Sequence, residues 1–374
     1  MDVIDPILYI GISQSFFAGL LISTKKPLST ANRLMAAWLF MICFELIFAL
    51  VNRKFLEMYS FPFITFTYGP LMYLYVRFMT LPDRRFNWLA LLHFIPFVVF
   101  FAVSVIFRSE PFVQNLKEFF VPDKLIPLRI VYSICFFLSI TVYSTLAFIE
   151  ISRHQKSLKN IVSYTSGILT LNWLKIITIS FYTAYFCLFI LGGLDIIGNY
   201  IPFDPYFVIF GFIALFSFAF SFYAIRQPSI FGQDLKPEPD ERGEIEKYSK
   251  SGLKDKQAVD YLTKLISYVE HNKPFLDRDL NIQELSVMTK IPRHYITQIL
   301  NEKHHKNFFT FINEYRVKEV IERFSDPKYR NYNILSIALD SGFNSKATFN
   351  SIFKSMTGFT PSEYRDKMQK ESCG

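Results

Sequence analysis

Seven stretches of the chain are each close to the roughly 20 apolar residues that a helix needs to cross a hydrocarbon core. All lie within residues 1–226, at about 7–24, 34–51, 60–81, 87–107, 127–149, 172–192 and 205–225. A soluble core helix carries one apolar stripe, whereas 94–107 is apolar all round, the state expected in lipid. Composition agrees. The whole chain is 51% hydrophobic with 43 Phe and only 19% charged, where an ordinary soluble domain runs at about 25% charged.

Several chemistries have no candidate. The 14 glycines form no GxGxxG or GxxxxGK[ST] loop, so no phosphate cradle is expected. No HExxH, no GxSxG and no paired intramembrane carboxylates occur, so the chain does not read as an enzyme and no cofactor is implied. Cys43, Cys135, Cys187 and Cys373 are too far apart for a metal site or a disulfide framework and read as small apolar residues.

Lys and Arg near span ends are retained on the cytoplasmic side. They cluster in the first connection (Lys25, Lys26, Arg33), the third (Arg84, Arg85, beside Arg77) and the fifth (Arg153, Lys156, Lys159). The second has Arg53 and Lys54, the fourth spreads Arg108, Lys117 and Lys124 among acids, and the sixth has none. This pattern predicts an external N terminus and a cytoplasmic chain after Arg226. The acidic start is unlike a signal peptide.

Ionisable residues at depth cost at least ~2.5 kcal/mol each, which makes Glu45 and His93 candidates for sensing. A structural pair between Glu45 and a hydroxyl on a neighbouring helix is the competing expectation. Arg77, Glu150 and Lys175 lie near span ends and can snorkel. The stretch 110–125 mixes aromatics with charges and reads as a pocket cap or an interfacial segment.

Residues 227–256, with Pro228, Pro237 and Pro239 among Asp and Glu, cannot build a core and read as a flexible linker reaching about 30 Å. Helical periodicity then returns. Val259, Leu262, Leu265, Ile266 and Val269 mark one amphipathic helix. Asn281 caps a short helix, a third runs from about Arg293 to Leu300, and 308–324 is a longer one. Asn333 caps another short helix, Gly342 supplies a turn, and Ser345 caps the next. A short helix, a tight turn and a second helix thus occur twice, at 282–300 and 334–356.

The run Ile337-Ala338-x3-Gly342-Phe343-Asn344-Ser345-x2-Thr348-Phe349-x3-Phe353-Lys354-x3-Gly358-x-Thr360-Pro361-x2-Tyr364-Arg365 resembles the C-terminal signature of AraC/XylS-type transcription regulators. Upstream, Phe308-x2-Phe311-Ile312-Asn313-x2-Arg316 resembles that family's connecting helix. The resemblance covers about 258–368 and not the first 226 residues. It implies two recognition helices entering successive major grooves, about 34 Å apart. Carried over by position, these present Arg293, His294, Thr297 and Gln298, then Lys346, Ala347, Asn350 and Ser351, with Thr348 and Lys354 on phosphate. Gln and Asn can pair with adenine, Lys with guanine, and Ala can contact a thymine methyl. Two positions depart from the pattern: Pro292 stands where a Ser-like cap is usual, leaving the register of Arg293 and His294 open, and Val320 replaces a small residue.

The chain therefore reads as all-α: a seven-helix transmembrane bundle (1–226), a linker (227–256) and a cytoplasmic all-helical double helix-turn-helix domain (257–370). The expected function is a membrane-tethered, sequence-specific transcription regulator in a bacterial cytoplasmic membrane, multi-pass with its N terminus outside. Its signal would pass from the seventh span through Arg226 and the linker. Expected partners are double-stranded DNA, membrane lipid, a small-molecule or membrane-protein signal, a second copy of the chain and, for an activator, RNA polymerase. The alternatives are a membrane receptor or transporter-like protein whose helical tail docks a protein, and release of the DNA-binding part by cleavage in the linker.

Overall fold

A computed structural model of the chain describes residues 4–26, 28–51, 54, 63–81, 87–106, 126–164, 169–198, 205–226 and 255–372. Nearly all of the expected linker, the stretch 110–125, Cys373, and the connection residues Arg53, Arg84, Arg85, Arg108, Lys117 and Lys124 lie outside these residues. Among the described residues all regular structure is helical apart from one antiparallel bridge between Val162 and Asn281. They form two units: Met1–Arg153 with Leu171–Ile230, and His154–Thr170 with Phe231–Gly374.

The first unit holds α1 (Ile4–Ser23), α2 (Thr30–Val51), α3 (Tyr68–Thr80), α4 (Ile95–Ile106), most of α5 (Ile126–Leu158), α6 (Asn172–Gly198) and α7 (Pro205–Arg226). Among the described residues six helices are long and apolar enough to cross a membrane, counting Trp88–Ile106 as one. The third expected span is composite: a 3-10 segment, Phe63–Thr67, runs into α3. At about 2 Å and 1.5 Å of rise per residue the two together cover about 30 Å. Trp88–Phe94 is likewise 3-10 ahead of α4. Both 3-10 segments precede a proline, Pro70 or Pro96, whose missing N–H and ring contact disturb the preceding turn.

Inside this unit Trp38 is nearly inaccessible and is surrounded by the rings of Tyr68, Phe181, Phe216 and Phe220. α3 is buried on almost every side, whereas Ile10, Phe17, Ile106, Ile176 and Leu215 are more than half exposed. Such an apolar exterior costs free energy in water and none in lipid. Polar contacts tie the two ends. Lys25 Nζ donates to the carbonyls of Ala224 (3.1 Å) and Ile225 (3.0 Å), a cation at the C terminus of α7. At the other end of α1, Lys54 Nζ pairs with Asp5 at 3.2 Å and donates to the Tyr9 hydroxyl at 2.9 Å.

In the second unit α8 (Asp255–Asn272) presents Ala258, Leu265 and Val269 to a core, with Leu262 and Ile266 partly buried. Val259, expected on that face, is 54% exposed; the buried stripe begins one residue earlier, at Ala258. Next come α9 (Ile282–Thr289) and α10 (Arg293–Glu302), then α11 (Phe308–Ser325), then α12 (Ile334–Asp340), α13 (Lys346–Thr357) and α14 (Pro361–Ser372). The expected caps are present. Asn281 and Glu284 form a reciprocal capping box, Asn333 accepts from the Leu335 amide at 2.8 Å, and Ser345 accepts from the Thr348 amide at 3.2 Å.

One helix divides its apolar residues between two cores. Phe308, Phe311 and Ile312 of α11 pack with Leu265, Leu285 and Ile296, while Val317, Val320 and Phe324 pack with Ile337, Phe343, Phe349 and Phe353. Each core carries one helix-turn-helix, and Arg316 lies where they meet along α11.

Gly342 sits beside that arginine with φ +94°, and a Cβ there would come within 2.1 Å of the Phe275 carbonyl oxygen and 2.8 Å of Arg316 Nε. Gly342→Ala is therefore expected to destabilise the second unit by at least ~2 kcal/mol, read as a lower midpoint for proteolysis of this unit in the full chain. A second expectation concerns Glu319, whose side chain is 9% exposed and is held by Lys273 Nζ at 2.7 Å and Arg323 Nε at 2.9 Å. Burial alone would raise its pKa, but these two cations bring it below the ordinary 4.5. Its stabilising contribution is thus complete above about 4.5 and falls away as pH drops through the lower, folded-state value. Amide exchange in α8 and α11 should accelerate over that acid range in the full chain, and much less so in Glu319→Gln.

Candidate nucleic-acid interface

The first helix-turn-helix pairs α9 with α10. α9 ends at Lys290 in the left-handed region, and the Ser286 hydroxyl donates to the Ile291 carbonyl at 2.7 Å, which braces the turn. Pro292 occupies the cap position with no side-chain hydrogen bond, yet its carbonyl accepts the amides of Tyr295 (2.9 Å) and Ile296 (3.1 Å). The helix therefore begins at Arg293, and the proline leaves the expected register intact. His294 is exposed, with its ring against Tyr295, and Arg293 and Thr297 are half-buried. The Thr297 hydroxyl donates to the Arg293 carbonyl at 3.1 Å.

Gln298 departs from expectation. It is 5% exposed, and its Nε2 donates to Glu302 Oε2 at 3.1 Å. It is followed on the same helix by Ile299 and Leu300, both fully buried, and is itself nearly inaccessible, so it presents little surface to a duplex.

The second helix-turn-helix pairs α12 with α13. Ile337 and Ala338 are fully buried, Gly342 makes the turn, and Phe349, Ile352 and Phe353 anchor α13. The opposite face of α13 exposes Lys346, Ala347, Asn350, Ser351 and Lys354. Residues 347, 350, 351 and 354 recur at three and four, so they share one helical face. Thr348 belongs to the cap: its hydroxyl accepts from Ser345 Oγ at 2.8 Å. The first amides of α13 sit beside it, and a helix N terminus is a favourable place for a backbone phosphate.

Two supporting side chains, Arg316 and Arg365, carry no outward chemistry and were missed as site residues. Arg316, 1% exposed, donates through Nε to the Phe275 carbonyl at 2.8 Å and through Nη2 to the Asp277 carbonyl at 2.6 Å. It also reaches Ser163, through Nη1 to the carbonyl (2.8 Å) and Nη2 to Oγ (2.9 Å). Arg365 of α14 donates to the carbonyls of Tyr332 (2.8 Å), Tyr329 (3.1 Å) and Arg330, fixing the loop that leads into α12. Arg316 and Arg365 stand in the quoted motifs, but a motif alone does not say that they bind backbone carbonyls.

The two residues offered for membrane-domain sensing, Glu45 and His93, have different partners among the described residues. The Tyr68 hydroxyl donates to Glu45 Oε2, the hydroxyl pairing anticipated as the structural alternative. His93 Nδ1 lies 3.0 Å from the Tyr143 hydroxyl, with Tyr73 against its ring.

Residues 285–367 match a family model described as a helix-turn-helix domain. The matched segment opens inside α9 and closes inside α14, so it takes in α10, α11 and α13. No curated protein and no solved structure matches the chain. The match supports a DNA-binding helix-turn-helix domain of the AraC type in the C-terminal part, a class of transcription regulator that binds double-stranded DNA.

The exposed and buried positions separate into testable groups. Lys346→Ala and Asn350→Ala in the full chain should each relax sequence preference by about 1–3 kcal/mol. Lys354→Ala should weaken all sequences alike and lower the salt slope of binding by about 1. Gln298→Ala, by contrast, should alter stability and leave preference among DNA sequences unchanged, measured by competition binding over a set of single-base variants.

Proposed function

We propose that the chain is a membrane-tethered transcription regulator: its apolar helices hold it in a bacterial cytoplasmic membrane and sense a signal there, and its cytoplasmic second unit binds specific DNA. The observation that carries this reading is the pair of helix-turn-helix motifs, each anchored by its own core and each turning polar, base-compatible side chains outward. The apolar exterior of the first unit supports the membrane part. So does the grouping of Lys25 with the end of α7, since an odd number of spans puts the first connection and the C-terminal end of the seventh span on one side.

The proposal includes seven spans, the composite third among them, with the N terminus outside. A second copy of the chain, and RNA polymerase in the case of activation, are the partners such a regulator would use. Regulation would then act on how the DNA-binding unit is presented to DNA.

Two measurements test the reading. A topology reporter fused after Ile225 should report cytoplasm; periplasmic activity there would overturn the seven-span arrangement. The full chain in detergent should bind double-stranded DNA from upstream of its own coding sequence in preference to a scrambled duplex, with affinity falling as salt rises. Failure to bind any duplex would favour the docking-tail alternative.

A further inference from the structure

We propose that residues 159–163, which the sequence places between the fifth and sixth apolar stretches, act as a transmission element: the two helix-turn-helix motifs keep their DNA-competent arrangement only while this segment is seated against α9 and α11. The proposal rests on the DNA-binding reading above and names how that site is regulated.

The segment is seated through backbone and side chain together. Val162 pairs with Asn281 in an antiparallel bridge, flanked by Ser163 N–H to the Leu280 carbonyl at 3.3 Å and Ile282 N–H to the Ile161 carbonyl at 2.9 Å. Lys159 offers its carbonyl to the Phe309 amide at 2.9 Å, one of the donors at the start of α11 that lacks a partner within its own helix. Val162 is 3% and Ser163 0% exposed, and Ile161 packs on the first core. The Ser163 Oγ donates to the Leu280 carbonyl at 2.6 Å, and its carbonyl accepts from both Asn313 Nδ2 at 3.0 Å and Arg316 Nη1 at 2.8 Å.

Each of these contacts falls at a joint. Leu280, Asn281 and Ile282 form the entry to α9, which supports the recognition helix α10. Phe309, Asn313 and Arg316 belong to α11, which carries the second core. The segment therefore fixes the first helix-turn-helix to the helix that holds the second. Two recognition helices must sit about one DNA turn apart to enter successive grooves, so loosening that joint removes simultaneous binding.

Chain continuity makes the segment a route for a signal. The division between the units falls inside α5, which is helical as far as Leu158, so no loop separates the apolar helix from Lys159. A further covalent connection follows Arg226, where Pro228, Pro237 and Pro239 stand among Asp and Glu in the sequence.

Two changes in the full chain test this, one holding the segment and one releasing it. The bonds flanking Val162 and Asn281 make them a non-hydrogen-bonded pair, with Cα atoms expected about 4.5 Å apart, within disulfide range. The Val162→Cys/Asn281→Cys chain should cross-link on mild oxidation where neither single variant does, and should bind the upstream duplex within twofold of its reduced form. Ser163→Pro removes the N–H and the Oγ. It should lower protection of the Ile282 and Phe309 amides from exchange at least tenfold and weaken DNA binding at least tenfold. A peptide of residues 156–170 added in trans should restore that affinity to within about threefold, which distinguishes an emptied seat from a misfolded unit.

Failure to cross-link, loss of DNA binding on cross-linking, unchanged affinity in Ser163→Pro, or no rescue by the peptide would each overturn the proposal. If the unaltered chain binds no duplex at all, the functional reading falls and takes this one with it. Failure of the transmission role alone looks different: the unaltered chain binds and release changes nothing.

Discussion

A guanidinium with 1% exposure cannot remain charged in a protein interior unless its donors are met, and Arg316 meets them with backbone carbonyls and one hydroxyl. Burial brings its pKa down to about 10, against the opposing pull of Asp277 and Asp279, so it stays positive at neutral pH. Because the acceptors come from Ser163, Phe275 and Asp277, one side chain gathers segments more than a hundred residues apart. The turn at Gly342 then closes over the same place, against the Phe275 carbonyl and Arg316 Nε. A hydrogen bond to a charged group contributes about 1.5–3 kcal/mol, and Arg316 makes several at once, which makes this junction the point on which the relation of the two helix-turn-helix motifs depends.

What the sequence made legible was local. Asn281, Asn333 and Ser345 were readable as caps because a side-chain acceptor before a helical run satisfies amides two or three residues away. Gly342 was readable because few other residues adopt a positive φ, and Phe343, Phe349 and Phe353 because their spacing matches one buried face. The apolar stretches were readable by length. Their 3-10 starts were less so, because the effect of Pro70 and Pro96 on the turn before them depends on how the chain enters the helix.

Gln298 and residues 159–163 show where local reading stops. Gln298 lies on a helix where His294 is exposed and Arg293 and Thr297 are half-buried, yet Gln298 itself is buried and bonded to Glu302. Lys159 to Ser163 read as a positively charged connection between two apolar runs, and the three lysine and arginine residues around it supported only an orientation. Its pairing with Asn281 spans more than a hundred residues, and no periodicity or cap signal in either segment announces a bridge of that kind.

Charge places a further demand on how such a unit can work. From residue 227 onward the chain has 23 Lys and Arg against 21 Asp and Glu, and part of the positive charge is met internally, by Glu319 on Lys273 and Arg323 and by Glu314 on Lys306. Little bulk field is left to draw in a duplex from a distance, unlike a strongly basic domain whose phosphate attraction dominates affinity. On the proposed reading, discrimination would fall to the few exposed groups on α10 and α13, a handful on each helix. Two weak readers become one tight reader only when their geometry allows both to engage at once, because the second contact is then intramolecular. On the proposed reading, a fixed joint between the cores would accomplish what charge does not, and loosening it would lower DNA affinity through geometry alone.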